Sequence, residues 1–110
     1  MKTYEVLEKA LARIEDEKNW CQGSYGPKKG PNCAVGALVY AEATRSIHDR
    51  PVAEALVALG AFTGGSLVDF NDSRTHPEVV ELFQKAIRAE KQKAGIVVDV
   101  PTTTEQEVAA

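Results

Sequence analysis

Apolar residues return at helical spacing from the start of the chain. Tyr4, Leu7, Leu11 and Ile14 recur three or four residues apart with Ala10 beside them, while Glu8, Lys9, Arg13, Glu15, Asp16 and Glu17 fall to the solvent side. That pattern predicts an amphipathic helix, capped by Thr3 with Glu5 in its first turn and running to about Lys18. From Asn19 to Pro31 the periodicity dissolves, because Gly23, Gly26, Pro27, Gly30 and Pro31 forbid a regular element. A loop this long in a small domain is either functional or mobile. Trp20 at its root reads as an anchor in the core.

A second helix is expected from Cys33 to about Ser46, with Asn32 as its N-cap. Its inner face is built of Ala34, Gly36, Ala37, Ala41 and Ala43, with Leu38 and Tyr40 among them. Gly inside a helix costs about 1 kcal/mol relative to Ala, so Gly36 implies close approach of another backbone. Small residues of this kind suit the central helix of a bundle.

His48-Asp49-Arg50-Pro51 is a turn signal, and Pro51 suits the first turn of a third helix. Val52, Leu56 and Leu59 are its apolar side, with Gly60 as the expected stop. After the break at Thr63-Gly64-Gly65-Ser66, Leu67 to Phe70 reads as a helical turn. Thr75-His76-Pro77-Glu78 reads as a capping box opening a last long helix. Val79, Val80, Phe83, Ala86 and Ile87 form its stripe, which ends near Lys91. Gly95 to Val100 has strand composition without a partner strand and reads as an extended arm. Pro101 to Ala110 reads as a disordered polar tail. The expected fold is therefore all-α. It is a single-domain bundle of about four helices over 1–94, with a long Gly/Pro loop and a flexible C-terminal arm over 95–110.

Composition narrows the function. A chain of 110 residues carries one domain and one modest core. The formal net charge of −3 disfavours nucleic acid as the main partner, and Lys28-Lys29 is the one small basic cluster in a loop. The N-terminus has no signal-peptide pattern, and no apolar run approaches the roughly 20 residues a bilayer crossing needs. These features suggest a cytoplasmic protein without a membrane role, whose Cys21 and Cys33 are thiols. Ala-rich helix faces and the apolar arm favour a homodimer over a monomer.

The chemistry-bearing residues gather around Cys33. At a helix N-terminus its thiol is either a small buried hydrophobe or a thiolate of lowered pKa. A thiol-dependent enzyme would need Cys33 activated by His48 or His76 and supported by Asn71 or Asp72, with the N–H groups of Ala34 and Val35 as an oxyanion hole. The plainer reading is that Cys33 fills a tight space beside Gly36 and Ala37. Cys21, Cys33, His48 and His76 make a tetrahedral donor set, but their spacings match no zinc pattern, so no metal and no cofactor are expected. Gly23 to Gly30 lacks the Walker spacing, and it reads as a connector that leads into a helix N-terminus able to receive an anion. Turn chemistry explains Asp72, Ser73 and Thr75, but not Asn71, which follows an apolar run and needs buried partners.

The motifs Trp20-x-x-Gly23, Cys33-Ala34-x-Gly36-Ala37-Leu38 and Phe70-Asn71-Asp72 with Arg74-Thr75 resemble an uncharacterised family of small helical proteins from actinobacteria and their phages. Family members often have Trp where this chain has Phe70. The resemblance extends to about Glu90 and implies the helical fold, but no activity. The binding residues it singles out are Trp20, Gly23, Cys33, Asn71, Asp72 and Arg74. The expected function is a non-enzymatic binding or interaction protein, acting on a host protein or a small anionic ligand. The alternative is the thiol-dependent enzyme. The loop 19–31 and the turn 70–75 are expected to meet at the start of the Cys33 helix.

Overall fold

A computed structural model describes residues 2–41 and 50–96. His48, the expected end of the second helix and the segment 97–110 lie outside the described residues.

The first helix, α1, spans Thr3–Ile14 and buries Val6, Leu7, Ala10 and Ile14. Its N-cap is Lys2 rather than Thr3, and the Glu5 carboxylate accepts the Lys2 backbone N–H at 2.7 Å. The helix stops short of Lys18 because the Asp16 side chain accepts the Lys18 N–H and opens a 3-10 turn over Glu17–Asn19. Asp competes for backbone donors in this way, which disfavours helix interiors.

Helix α2 occupies Ala34–Ala41 within the described residues, and everything from Ala34 to Val39 is buried. Helix α3 covers Arg50–Thr63 and passes straight through Gly60. Its turn comes instead at Gly64, whose φ of +71° is one that side-chain-bearing residues rarely adopt. The expected helical turn at 67–70 is a full element, α4 at Leu67–Ser73, with the Ser66 hydroxyl accepting the Asp69 N–H. The described residues therefore hold five α-helices rather than about four.

Helix α5 covers His76–Lys93 and opens on the expected capping box. Thr75 Oγ accepts the Glu78 N–H, and the Glu78 carboxylate accepts the Thr75 N–H at 2.9 Å. Its C-terminus closes on Gly95, at φ +77°. The Gly95 N–H donates to the Gln92 carbonyl and the Ile96 N–H to the Lys91 carbonyl, the paired bonds of a Schellman motif.

Phe83, Leu7, Ile14, Leu38, Leu59, Val52 and Val79 make the fully buried centre. Leu82 joins the core, and Val80 is only half-buried. Among the described residues α3 packs against α1, α2, α4 and α5, while α1 packs against α2, α3 and α5, and α2 against α1, α3 and α4. The small residues of α2 are buried from Ala34 to Val39, and Gly36 among them allows a close backbone approach. Among the described residues no strand forms, and no single helix is long and apolar enough to cross a membrane.

Candidate functional site

The start of α2 is where three distant segments meet. The chain returns on itself through one parallel bridge between Trp20 and Asn32. The Cys21 N–H donates to the Asn32 carbonyl, and the Asn32 N–H donates to the Asn19 carbonyl, both at 3.0 Å. These bonds close the loop 21–31 at its base.

Asn71, on α4, is fully buried and uses its side chain completely. Its Oδ1 accepts the Trp20 indole N–H at 2.7 Å and the Ala34 backbone N–H at 3.0 Å. Its Nδ2 donates to the Cys21 carbonyl at 3.0 Å and to Asp72 Oδ1 at 3.1 Å. Asp72 Oδ1 also accepts the Gly23 N–H at 3.0 Å. Trp20, Gly23, Cys33, Asn71 and Asp72 thus lie together. Arg74 sits at the margin, with its guanidinium 4.7 Å from the Phe70 ring centre and 3.6 Å from the Glu78 carboxylate.

Asn32 does not cap α2. Its Oδ1 accepts from Arg13 Nε, and its Nδ2 donates to the Tyr25 and Pro27 carbonyls at 2.9 Å each. These partners occupy both ends of the buried Asn32 amide and leave nothing of it for the helix start. The cap passes to Cys33, whose carbonyl accepts the first helical bond from Ala37 and whose Sγ accepts the Gly36 N–H at 3.4 Å. With Asn71 on the Ala34 N–H and Cys33 Sγ on the Gly36 N–H, two of the donors expected to receive an anion are already satisfied.

Burial, not these bonds, decides the state of the thiol. Burial pushes the Cys33 pKa up, outweighing the lowering by the Gly36 and Val35 N–H groups, and Cys21 and Asp72 add to the rise. Cys33 is therefore held as the neutral thiol, not the activated thiolate. His76 is also engaged elsewhere. Its Nε2–H donates to the Ile14 carbonyl at 2.7 Å, and its ring lies 5.4 Å from the Trp20 ring. His48 lies outside the described residues. Among the described residues no group of three His, Cys, Asp or Glu side chains could hold a metal ion.

Three participants were not visible in the sequence as such. Gln22 donates to the Asn71 and Arg74 carbonyls at the end of α4, a bond pattern that no local signal announces. Tyr25 supplies the backbone that approaches Gly36, and a Cβ at position 36 would stand 2.1 Å from its carbonyl oxygen. Arg13, expected on the solvent side of α1, reaches Asn32 and the Lys28 carbonyl and lies 5.5 Å from the Tyr40 ring centre. Beside it the loop surrounds a shallow depression of about 400 Å³, lined by Arg13, Asn19, Lys28, Lys29 and Gly30.

The chain belongs to DUF6197, a family of unknown function, whose model matches residues 1–89. No curated protein and no solved structure matches it. The DUF6197 match takes in every residue of the corner described above and ends within α5.

Proposed function

We propose that this DUF6197 member is a non-enzymatic binding protein, an accessory protein of an actinobacterium or its phage that works in the cytoplasm. Its ligand is an acidic surface of a host protein or a small anion, taken on the face of the loop 19–31. The observation that supports this reading is the depression lined by Arg13, Lys28 and Lys29. Both lysines are exposed, so their charge is free to meet a partner. The loop carrying them is tied at its base and through Asn32. Two lysines on a pinned loop, with Arg13 of α1 beside them, give a local positive field on a chain of net charge −3, and such a field steers anionic partners. The anion site shifts by this reading from the α2 N-terminus, where donors are satisfied internally, to the loop flank.

Against the thiol-dependent enzyme stand the raised pKa of Cys33 and the engagement of His76 with Ile14. A buried neutral thiol with no adjacent histidine among the described residues reads as a packing group, because the nucleophile must be ionised or deprotonated in place.

The test is titration of labelled protein with a polyglutamate peptide and, separately, with inorganic phosphate, following backbone amide resonances. The expected result is saturable movement at Lys28, Lys29 and Gly30 that fades with added salt. The Lys28→Glu/Lys29→Glu variant should bind roughly tenfold more weakly with an unchanged melting temperature. If neither probe moves this loop, or if both variant and parent bind alike, the assignment is wrong.

A further inference from the structure

The two thiols take no part in the binding proposed above, yet the fold sets them side by side. The parallel bridge pairs Trp20 with Asn32, so Cys21 and Cys33, one residue further along each segment, are neighbours across the same short ribbon. The bonds on either side of the pair support this register. The Cys21 N–H donates to the Asn32 carbonyl, as a parallel ladder requires. The next ladder bond would run from the Ala34 N–H to the Cys21 carbonyl. Here the Asn71 carboxamide is inserted into it, accepting from Ala34 and donating to Cys21, both at 3.0 Å. Neighbours in a parallel ribbon stand roughly 5 Å apart and a disulfide spans Cα separations of about 4.4–6.8 Å, so the opening at Asn71 leaves the pair within bridging range.

The sulfurs converge as well. Side chains alternate along extended backbone, so residues 21 and 33 share one face of the ribbon. The Cys21 thiol donates to the Ser24 and Pro31 carbonyls at 3.5 Å each. Cys33 Sγ accepts from Gly36, and Gly36 is pressed against the Tyr25 carbonyl. Both sulfurs therefore border the Ser24–Tyr25 backbone. Burial is the main cause of the raised Cys33 pKa, and the proximity of Cys21 adds to it. Access is unequal: Cys21 is half-buried, whereas Cys33 is only 3% exposed.

We propose that Cys21 and Cys33 form a reversible oxidation site, closed by hydrogen peroxide into an intramolecular disulfide. Cys21, the accessible thiol, reacts first. Its sulfur attacks one peroxide oxygen, the O–O bond breaks, and the second oxygen leaves with the thiol proton as water, giving a sulfenic acid on Cys21. The Cys33 sulfur then attacks the Cys21 sulfur, the S–O bond breaks, and the hydroxyl departs with the Cys33 proton as water. Two thiols and one peroxide thus give one disulfide and two waters. A thiol of raised pKa is the stronger nucleophile once its proton is lost, which suits Cys33 to the second step. Its burial keeps the oxidant from it. Closure adds a covalent tie to the hydrogen bonds at the base of the loop and leaves Lys28 and Lys29 exposed.

The experiment treats the reduced full chain with hydrogen peroxide in slight excess, alkylates the remaining thiols and reads the mass before and after trypsin. The chain has two cysteines with Lys28 and Lys29 between them, so after cleavage only a disulfide holds the two cysteine fragments together. The expected result is the loss of two hydrogen atoms, a linked fragment carrying Cys21 and Cys33, the same yield on dilution, and full reversal by dithiothreitol. In Cys33→Ser, Cys21 should stop at the sulfenic acid and be captured by dimedone. In Cys21→Ser, Cys33 should resist peroxide until urea unfolds the chain. The proposal is overturned if the parent reaches a sulfinic acid on Cys21 with Cys33 still free, if the linkage forms only in urea, or if oxidation joins two chains. It is equally overturned if Cys33 oxidises in folded Cys21→Ser as fast as in the parent. None of these outcomes involves an anionic ligand, so failure here is separable from failure of the anion-binding loop.

Discussion

The two ends of this small bundle solve the problem of exposed chemistry in opposite ways. At the Asn71 corner nearly every polar atom has an internal partner, and the backbones approach so closely that Gly26 and Gly36 admit no side chain. Along α3 the contrary holds: Gly60 faces open space, and Val57 and Phe62 stand in solvent. The corner spends its polar residues on holding a loop in place, and the proposed binding rests on the loop's outer charges. The α3 face has few constraints of its own and is free to be covered. Polar clusters are often taken for sites, but here the buried cluster is scaffold and the sparse surface charges beside it are the stronger candidates for binding.

The sharpest way to break this contrast is Asn71→Ala. It removes the partner of the Trp20 indole N–H, the Ala34 N–H and the Cys21 carbonyl at a position where Asn71 is fully buried. Buried groups left unpaired cost about 1–3 kcal/mol, and with three involved the loss should reach the upper end, about 3 kcal/mol in urea denaturation. A change under about 0.5 kcal/mol would mean the corner is not a lock.

A glycine pair sharpens the comparison further. Gly36→Ala drives a methyl to 2.1 Å from the Tyr25 carbonyl oxygen, so the loop must move, at a cost of about 1–3 kcal/mol. Gly60→Ala meets nothing within 4 Å inside a helix and should stabilise by up to about 1 kcal/mol. Equal effects of the same sign would erase the distinction between the two regions.

The smallest effect belongs to the capping box that joins them. Thr75's backbone N–H and hydroxyl hold the Glu78 carboxyl below its ordinary pKa, with a lesser contribution from Arg74. A carboxylate favoured in the folded state adds stability above its unfolded pKa and loses it as pH falls through the lowered folded value. Glu78→Gln should therefore be slightly less stable than the parent at neutral pH, with the gap closing in acid. A gap that grows on acidification would contradict the assignment.

The local signals in the sequence were sufficient where the partner lay within a few residues. Thr75 and Glu78 cap each other across three positions, and the motif is readable because its chemistry is contained in it. The apolar spacing likewise located α1, α3 and α5. Legibility failed where groups compete. Asn32 has the right type for an N-cap, but loop carbonyls and Arg13 claim its amide, and a cysteine sulfur takes the cap instead. Gly60 and Gly64 are both plausible stops, and only the backbone conformation at Gly64 decides between them. Gly36 announced a close approach, but nothing in the sequence named Tyr25 as its neighbour, because a backbone carbonyl looks the same at every residue. The role of Asn71 was legible for a different reason: a polar residue at the end of an apolar run has to find partners, and few were within reach.

The central claim, that Asn71 fastens the loop, the α2 start and α4 into one unit, is tested most directly by hydrogen exchange at the single tryptophan. The Trp20 indole proton donates to the same oxygen as the Ala34 amide. Both protons should exchange together and as slowly as the buried amides of α1 and α5, and Asn71→Ala should release both at once. An indole proton that exchanges at the rate of an exposed one while the helices stay protected would contradict the account.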